Sequence, residues 1–334
     1  MSERPIVRPK VSIVVATYNR SNVLVHAIES VRRSTLTEWE MLVVGDACTD
    51  DTAEVVARFH DPRIRFVNLE HNFGEQSGPN NAGASLACAP YLAFLNHDDL
   101  FFPDHLAICL GQLEATGADL VFSGLAAAEP RSAEQLAQHR LGFLLLGVSP
   151  DGRYQPYIFA PASCWVLRAE LMTELGGWRP AIDCSIEPSQ DFLFRAWRAG
   201  KQLLAVPAVT VLAVQSGKRR DSYRDRQWHE NAYFAGRMND DPVFREAVLA
   251  SAAMEHARRF IVASRKLNCS PLQVLSGMLY KVICRLGIHP RALTMRLKHG
   301  RGGWIRQLRR TRGLEEQINR GGGKQHGKQH ARPS

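Results

Sequence analysis

Short apolar segments alternate with amphipathic segments along residues 11–124. Five apolar runs have the length and the composition of buried strands: VSIVVA (11–16), EMLVVG (40–45), RIRFVNL (63–69), YLAFL (91–95) and DLVFSG (119–124). The intervening segments have helical spacing; between residues 19 and 34, Val23, Ala27, Ile28 and Val31 share one face. This alternation predicts an α/β fold with a mostly parallel sheet that helices cover on both faces.

Polar clusters follow four of the predicted strands: TYNR (17–20), GDACTDD (45–51), EHNFG (70–74) and NHDD (96–99). The carboxyl ends of parallel strands meet at one edge of a sheet, where such sheets bind ligands. Asp98 and Asp99 fit a solvated turn before Pro103, or a divalent cation site, since Mg²⁺ prefers carboxylate oxygens and substrate phosphates. Four polar clusters at one edge favour the cation site.

The pattern is less regular after residue 124. Residues 131–147 predict a helix, residues 208–214 a strand and residues 240–310 a mainly helical region. The last residues, GGGKQHGKQHARPS, have the low complexity of a disordered tail. We therefore expect three parts: a catalytic domain over 1–220, a helical, basic extension over 221–312 and a tail over 313–334.

Composition places the chain among soluble intracellular proteins. Of its 334 residues 45% are hydrophobic, which is ample for a core, and its longest apolar runs are too short to span a bilayer. The seven cysteines are widely spaced without a CxxC pair, which argues against a disulfide framework or a zinc site. The N-terminus lacks an apolar signal core. We expect a cytoplasmic protein that is able to bind the inner face of the membrane.

The positive charge is concentrated near the C-terminus. The chain carries a net +9, yet residues 281–334 contain 14 Lys and Arg against 2 Asp and Glu, a balance of +12. Leu, Met, Ile and Trp304 alternate with these basic residues, as in a segment that lies on an anionic membrane surface. A plain solvated helix is the alternative, and nucleic acid is the partner that we expect least.

The motifs occur in the order typical of one family. VSIVVATYNR, VVGDACTDDT, HNFG with NNAG, YLAFLNHDD and SQDFLFRAWRAG together resemble the family-2 glycosyltransferases over about residues 9–215. These are inverting enzymes of polysaccharide biosynthesis with a nucleotide-diphospho-sugar-binding, GT-A-type fold. The resemblance implies a Rossmann-like central sheet flanked by helices, and a UDP-sugar as the first donor to expect.

The resemblance also implies which residues bind the nucleoside. Thr17, Tyr18 and Asn19 would border the base and ribose, with a hydroxyl and an aromatic face among them. The Asp46 carboxylate would accept a hydrogen bond from the base; the local alternative is an Asx turn before the following helix. Asn81 matches the family pattern, whereas Asn80 stands where the family frequently has an Arg that helps to bind the nucleotide.

The acidic pair would hold the metal. By resemblance Asp99 coordinates Mg²⁺ or Mn²⁺ at the diphosphate, and Asp98 contacts the ribose or the metal shell. His97 occupies a variable position. A later His sometimes adds a ligand in this family, but Gln215 and Ser216 follow the predicted strand here, and His229 is the nearest candidate.

The catalytic base would be Asp191, at the start of an amphipathic helix. Inversion needs a carboxylate that takes the proton of the acceptor hydroxyl during attack; the local alternative is an acidic residue that stabilises the helix dipole. Gln190 would be a supporting polar contact, and Trp178 would either stack on an acceptor sugar or belong to the core.

These observations predict a metal-assisted transferase that moves a sugar from a nucleoside-diphosphate donor to a hydroxyl of a glycan or lipid-linked saccharide. Two alternatives stay open. A nucleotidyltransferase combines a similar sheet with an acidic metal motif, but VVATYNRSNVL lacks the Gly-rich part of its loop. A non-catalytic nucleotide-sugar-binding module would keep the donor site without a working base.

Overall fold

The computed structural model describes residues 8–128, 132–138, 142–215, 219–224, 230–264 and 271–314. Its strands are β1 (Val11–Thr17), β2 (Trp39–Gly45), β3 (Ile64–Asn68), β4 (Tyr91–Asn96), β5 (Asp99–Phe101), β6 (Leu120–Ala128), β7 (Phe143–Leu146), β8 (Trp165–Arg168) and β9 (Leu203–Ala213). The five strands expected from the apolar runs are all present. The three-residue β5 was not expected, because it follows β4 after only two residues.

One sheet contains all of these strands in the order β3-β2-β1-β4-β8-β6-β9-β5, with β7 added beside β6. Strands β3, β2, β1 and β4 are parallel neighbours, and β6 pairs with β9 in parallel. Strands β8, β5 and β7 pair antiparallel with their neighbours. The parallel half is the part that the strand-helix alternation predicted, and the α/β class is confirmed.

Helices connect and cover the strands. They are α1 (Ser21–Arg32), α2 (Thr52–Ala57), α3 (Ser77–Leu86), α4 (His105–Thr116), α5 (Ala133–Ala137), α6 (Glu170–Glu174), α7 (Pro188–Arg198), α8 (Glu230–Asp240), α9 (Phe244–Ser264), α10 (Pro271–Arg285), α11 (Pro290–His299) and α12 (Gly303–Thr311). Helix α3 packs on β1 and β2, and α4 packs on β6, β8 and β9. On α1, Val23, Leu24, Ala27, Ile28 and Val31 are fully buried, as their spacing predicted.

The expectation of one helix over residues 131–147 is wrong. The helix α5 is short, and residues 143–146 form β7, which pairs antiparallel with the second half of β6. The apolar run is the reason, because pairing with the long β6 buries Phe143 and satisfies its backbone within the sheet. The expectation of a helical region beyond residue 240 is confirmed by α9 to α12.

An aromatic cluster fills the core below β4 and β8. The Trp165 and Trp178 rings stack with centroids 5.6 Å apart, and Phe94 and Phe192 complete the group at 5.1 and 6.0 Å from Trp178. Trp178 is only 2% exposed. It is therefore a core residue, and the suggestion that it stacks on an acceptor sugar is not supported by its position.

Candidate functional site

The register of the parallel strands brings the predicted polar clusters to one edge. Thr17, the last residue of β1, lies beside Gly45 at the end of β2, and Ala16 lies beside Asn96 at the end of β4. The residues that follow, Asp46 on one side and residues 97–99 on the other, therefore flank the end of β1. They line a cavity of about 360 Å³, a volume within the range of ligand sites.

Thr17 contributes an unsatisfied hydroxyl to this cavity. The residue is 3% exposed, and within the described part of the protein its Oγ1 has no hydrogen-bond partner. A buried polar group without a partner costs free energy, so this atom is suited to a ligand that supplies one. Next to it, the Tyr18 ring stacks with Tyr223 at a centroid distance of 6.4 Å, and both rings line the cavity.

Asp46 has a structural role as well as a place in the cavity wall. Its two carboxylate oxygens accept hydrogen bonds from the backbone N–H groups of Phe73 and Gly74, at 2.7 and 2.8 Å. Burial raises the pKa of Asp46 to about 6, against these two hydrogen bonds and the charge of Arg309, which lower it. The carboxylate thus fixes the loop after β3 at the edge where the base was predicted to bind.

Asp98 and Asp99 both face the cavity. Asp99 is 4% exposed, and its Oδ2 accepts hydrogen bonds from Ser163 Oγ at 2.5 Å and Asn96 Nδ2 at 2.8 Å. Burial and then the neighbouring charge of Asp98 raise the pKa of Asp99 to about 7. Two carboxylates that resist ionising together are suited to a bound cation, which stabilises both charges.

No cluster of three His, Cys, Asp or Glu side chains suited to a metal occurs among the described residues. Two carboxylates still suffice for Mg²⁺, which commonly takes its other ligands from water and substrate phosphates. His97 lines the cavity, and its Nδ1 lies 3.3 Å from the carbonyl oxygen of Ala16. Burial lowers the pKa of His97 to about 4, so its ring is neutral at pH 7. Ser216 and His229 lie outside the described residues.

The start of α7 presents two carboxylates with different surroundings. Asp191 accepts a hydrogen bond from Arg195 Nε at 2.8 Å and lies 3.7 Å from Arg179 Nη1; it is not part of the cavity wall. Glu187, at the N-cap, lines the cavity. One of its oxygens lies 3.2 Å from Arg291 Nη2, and the other, Oε2, is buried without a hydrogen-bond partner among the described residues.

Three other predicted residues serve the structure around the site. The Asn81 side chain exchanges two hydrogen bonds with the backbone of Trp178, at 2.8 and 2.9 Å. Asn19 Oδ1 accepts the N–H of Thr49 at 2.8 Å and so joins the loops after β1 and β2. Gln190 is 1% exposed and donates to the carbonyl oxygen of Ala160 at 2.9 Å. None of the three lines the cavity.

The basic C-terminal segment forms one wall of the cavity, which the sequence reasoning missed. Residues of α12 and the turn after it line the cavity: Trp304, Ile305, Leu308, Arg309, Arg312 and Leu314. The available signal was the spacing of Ile305, Leu308, Arg309 and Arg312, which puts these four residues on one helical face. Gly313, assigned to the tail, accepts a hydrogen bond from Arg224 at 2.9 Å, and the remaining tail, 315–334, lies outside the described residues.

Across the described part of the chain, no helix combines the length and the apolar content that crossing a bilayer requires. The six cysteines within it are free: Cys48, Cys88, Cys109, Cys164, Cys184 and Cys284.

Comparison with known proteins identifies relatives for the half of the chain that holds β1 to β8. Residues 12–176 match the family described as Glycosyl transferase family 2. The succinoglycan biosynthesis protein ExoO of Rhizobium meliloti is 37% identical over 117 residues, which cover 35% of this chain and 33% of ExoO. The putative colanic acid biosynthesis glycosyl transferase WcaA of Escherichia coli is 33% identical over 104 residues, which cover 30% of this chain and 37% of WcaA. The matched segment thus spans about a third of each of these relatives.

The fold extends the similarity over nearly the whole chain. The crystal structure of S. aureus TarS 1-349 in complex with UDP-GlcNAc superposes with a TM-score of 0.52 and covers 93% of this chain and 97% of that one. The two sequences are 15% identical, so the likeness is one of fold. It confirms the GT-A-type architecture that the motifs predicted.

Proposed function

Residues 12–176 belong to glycosyl transferase family 2, and on this premise we propose that the protein transfers a sugar from a nucleoside-diphosphate donor to a hydroxyl of an acceptor saccharide. The observation that carries the proposal is the cavity at the ends of β1, β2 and β4. It combines an unsatisfied Thr17 hydroxyl, an aromatic face from Tyr18 and two adjacent carboxylates. These are the groups needed for a ribose, a base and a metal-bound diphosphate.

We propose a UDP-sugar as the donor. The TarS structure is a complex with UDP-GlcNAc, and a shared fold makes the same class of nucleotide the first to test here. Asp46 would act at the base end, mainly by holding the loop at residues 73 and 74, since its oxygens already accept two backbone N–H groups. Asn19 and Asn81 would support donor binding indirectly. Asn19 holds the loops after β1 and β2 together, and Asn81 holds the backbone at Trp178.

Asp99 and Asp98 would hold Mg²⁺ or Mn²⁺. The fit rests on two neighbouring oxygen-donor side chains in a cavity and on the raised pKa of Asp99, since both favour a cation nearby. When bound, such a cation supplies positive charge that stabilises the departing diphosphate. Ser163 and Asn96 would orient Asp99 by their hydrogen bonds to Oδ2.

Transfer with inversion requires a base opposite the leaving group. The base accepts the proton of the acceptor hydroxyl, the hydroxyl oxygen bonds to the anomeric carbon, and the bond from that carbon to the phosphate oxygen breaks, which releases the nucleoside diphosphate. The resemblance implies Asp191 for this role, and that assignment stays a prediction. The geometry favours Glu187, because it lines the cavity and its Oε2 has no hydrogen-bond partner among the described residues, although its Oε1 is bound by Arg291. Asp191 does not line the cavity, and Arg195 binds its carboxylate.

The acceptor is proposed to be a glycan or a lipid-linked saccharide. An exposed apolar row on α10, α11 and their connection supports a lipid surface nearby: Met278, Leu279, Val282, Leu286, Leu293 and Leu297. Lys281, Arg285, Arg296 and Lys298 are exposed among them, which gives the row the charge complementary to anionic lipids. Flotation with phosphatidylglycerol vesicles checks this contact: a Leu286→Glu/Leu297→Glu variant loses it, and Val243→Glu, at an exposed position elsewhere, retains it.

The main test is a calorimetric titration of the full chain with UDP, GDP, dTDP and CDP, with and without Mn²⁺, followed by a transfer assay with the corresponding sugars. Metal-dependent binding of one diphosphate and transfer to a saccharide support the proposal. Binding without transfer or hydrolysis indicates a binding module, and pyrophosphate release from a nucleoside triphosphate indicates a nucleotidyltransferase. If none of the diphosphates binds at millimolar concentration, the proposal is wrong.

A further inference from the structure

The cavity has an unequal distribution of charge. Five carboxylates line it: Asp46, Glu75, Asp98, Asp99 and Glu187. Two arginines, Arg309 and Arg312, are the only Lys or Arg side chains among its described lining residues, and both belong to the C-terminal segment. A nucleoside diphosphate carries negative charge and meets repulsion from these carboxylates unless cations stabilise it. The basic side chains that line the cavity therefore lie outside residues 12–176, the part that matches the family, while Arg20 of that part lies behind the lining, 5.2 Å from the centroid of the Tyr223 ring.

Helix α12 is held at both ends, by residue 183 of the catalytic domain before it and by residues 221–223 after it. Before the helix, the Arg301 Nε donates to the carbonyl oxygen of Asp183 at 3.1 Å. After it, the backbone N–H groups of Asp221 and Tyr223 donate to the carbonyl oxygens of Thr311 and Arg312, at 2.8 and 3.2 Å. These bonds satisfy carbonyl groups at the helix end, which have no partner within the helix. Helix α12 is thus held with one face toward the cavity.

The two arginines occupy different parts of that face. Arg309 is 6% exposed and donates to the carbonyl oxygen of Gly74, beside the loop that Asp46 fixes. Arg312 has its guanidinium carbon 5.9 Å from the centroid of the Tyr223 ring, and the centroid of that ring lies 6.2 Å from the centroid of the His97 ring, next to Asp98. Arg309 therefore lies at the base end of the cavity, and Arg312 lies at the end that holds the acidic pair.

We propose that Arg312 binds the diphosphate of the donor. Arg309 would hold the C-terminal segment against the loop at Gly74 and so keep Arg312 in place. The inference rests on the proposed function, since it names a further residue of the same donor site. A planar guanidinium donates two parallel hydrogen bonds to phosphate oxygens, and such charge-assisted bonds are among the strongest in proteins. The C-terminal helix is accordingly a part of the donor site rather than an appendage to it.

The test compares the binding of UDP and of uridine by calorimetry in the full-length protein, with Mg²⁺ present. Arg312→Ala is expected to weaken UDP binding by about 10- to 100-fold, the effect of losing a charge-assisted contact, and to leave uridine binding unchanged. Arg310→Ala is the matched control, because it removes the same charge from an exposed position in the last turn of α12, two residues before Arg312. Arg312→Gln, which keeps most of the volume, replaces Arg312→Ala if that variant does not fold.

Each outcome is decisive. If the wild-type protein binds no nucleoside diphosphate, the proposed function fails and the inference fails with it. If the wild type binds UDP and the Arg312 and Arg310 variants bind it equally well, the donor site stands and Arg312 has no part in it. If Arg312→Ala binds UDP more tightly, α12 obstructs the donor site, and the inference is wrong. If Arg312→Ala weakens the binding of UDP and of uridine equally, the variant has damaged the cavity wall and has not lost a phosphate contact. This result also overturns the inference.

Discussion

Arg309 donates a hydrogen bond to the backbone carbonyl oxygen of Gly74, and this contact joins α12 to the loop after β3. The two residues are 235 positions apart in sequence. Gly74 has a φ of +76°, and a Cβ at this position would lie 2.7 Å from the Arg309 Nη1 atom. The contact therefore depends on the absence of a side chain at residue 74, and it links the C-terminal helix to the same loop that Asp46 holds.

Gly74→Ala is expected to weaken the docking of α12. The left-handed backbone costs an alanine about 1 to 2 kcal/mol, and the new methyl group displaces the Arg309 guanidinium. Hydrogen exchange of α12 and UDP affinity measure the effect, with faster exchange and weaker binding expected. Gly111→Ala in α4 is the control, because nothing lies within 4 Å of a Cβ there; unchanged exchange in the Gly74 variant would contradict the prediction.

Thr17→Val separates ligand binding from stability. In the wild type the Thr17 Oγ1 is buried without a partner, so replacing the hydroxyl by a methyl group should leave the free energy of unfolding unchanged or raise it by about 1 kcal/mol. Donor affinity should fall by about three- to tenfold, the value of one neutral hydrogen bond.

Thr52→Val is the matched comparison for this prediction. Thr52 is fully buried, and its hydroxyl donates to Asp50 Oδ1, so denaturant unfolding should show a loss of stability at this position. If Thr17→Val binds UDP as tightly as the wild type, the Thr17 hydroxyl does not contact the donor.

Removal of the metal should weaken the diphosphate contact alone. We expect EDTA to lower UDP affinity by at least about tenfold, with no effect on uridine, because Asp99 and Asp98 would hold a cation that stabilises the charge of the diphosphate. Ser163→Ala should reduce Mn²⁺ affinity by about 10- to 100-fold, since Ser163 orients Asp99. Calorimetry measures both effects. If Mn²⁺ raises the UDP affinity of an Asp99→Asn variant as much as that of the wild type, Asp99 is not a metal ligand.

Glu187→Gln and Asp191→Asn distinguish the two carboxylates at the start of α7. Glu187→Gln should lower kcat by at least about 100-fold with little change in donor KM, because the amide does not accept the proton of the acceptor hydroxyl. Asp191→Asn should mainly lower the melting temperature, because it breaks the bond to Arg195, whose other N–H groups hold the carbonyl oxygens of Leu175 and Gly177.

The opposite result is equally clear. If Asp191→Asn lowers kcat by at least about 100-fold and Glu187→Gln leaves it unchanged, the base is Asp191, as the sequence resemblance implies, and Glu187 serves to hold Arg291 of α11.

Asp46 should make a measurable contribution to the pH dependence of stability. Below pH 4 the carboxyl is protonated in both states. Between pH 4 and 6 the unfolded chain releases this proton and the folded protein keeps it, because its pKa is raised from 3.8 to about 6. The Asp46 contribution to the free energy of unfolding therefore falls as the pH rises, by up to about 3 kcal/mol, and stays constant above pH 6. Unfolding of the wild type and Asp46→Asn at several pH values measures the difference, and a flat difference would contradict the raised pKa.

The hydrophobic pattern by itself determined the strands β1 to β4 and β6, and hence the edge at which Thr17, Asp46 and Asp99 meet. This is possible because burial in a sheet leaves a local signature, and because parallel strands put the residues that follow them at a common edge. The motifs added the family and a reason to place a metal at Asp98 and Asp99.

Tertiary packing decided which of these polar side chains face the cavity. Asn19, Asn81 and Gln190 bond to backbone groups, although all three lie within the motifs, and Trp178 belongs to the core. Local sequence reports that a residue is polar or apolar, whereas the direction of its side chain depends on partners distant in the chain. The same limit applies to Glu187 and to the C-terminal segment, whose Arg309 and Arg312 reach the cavity only after the chain has folded back to the loop after β3.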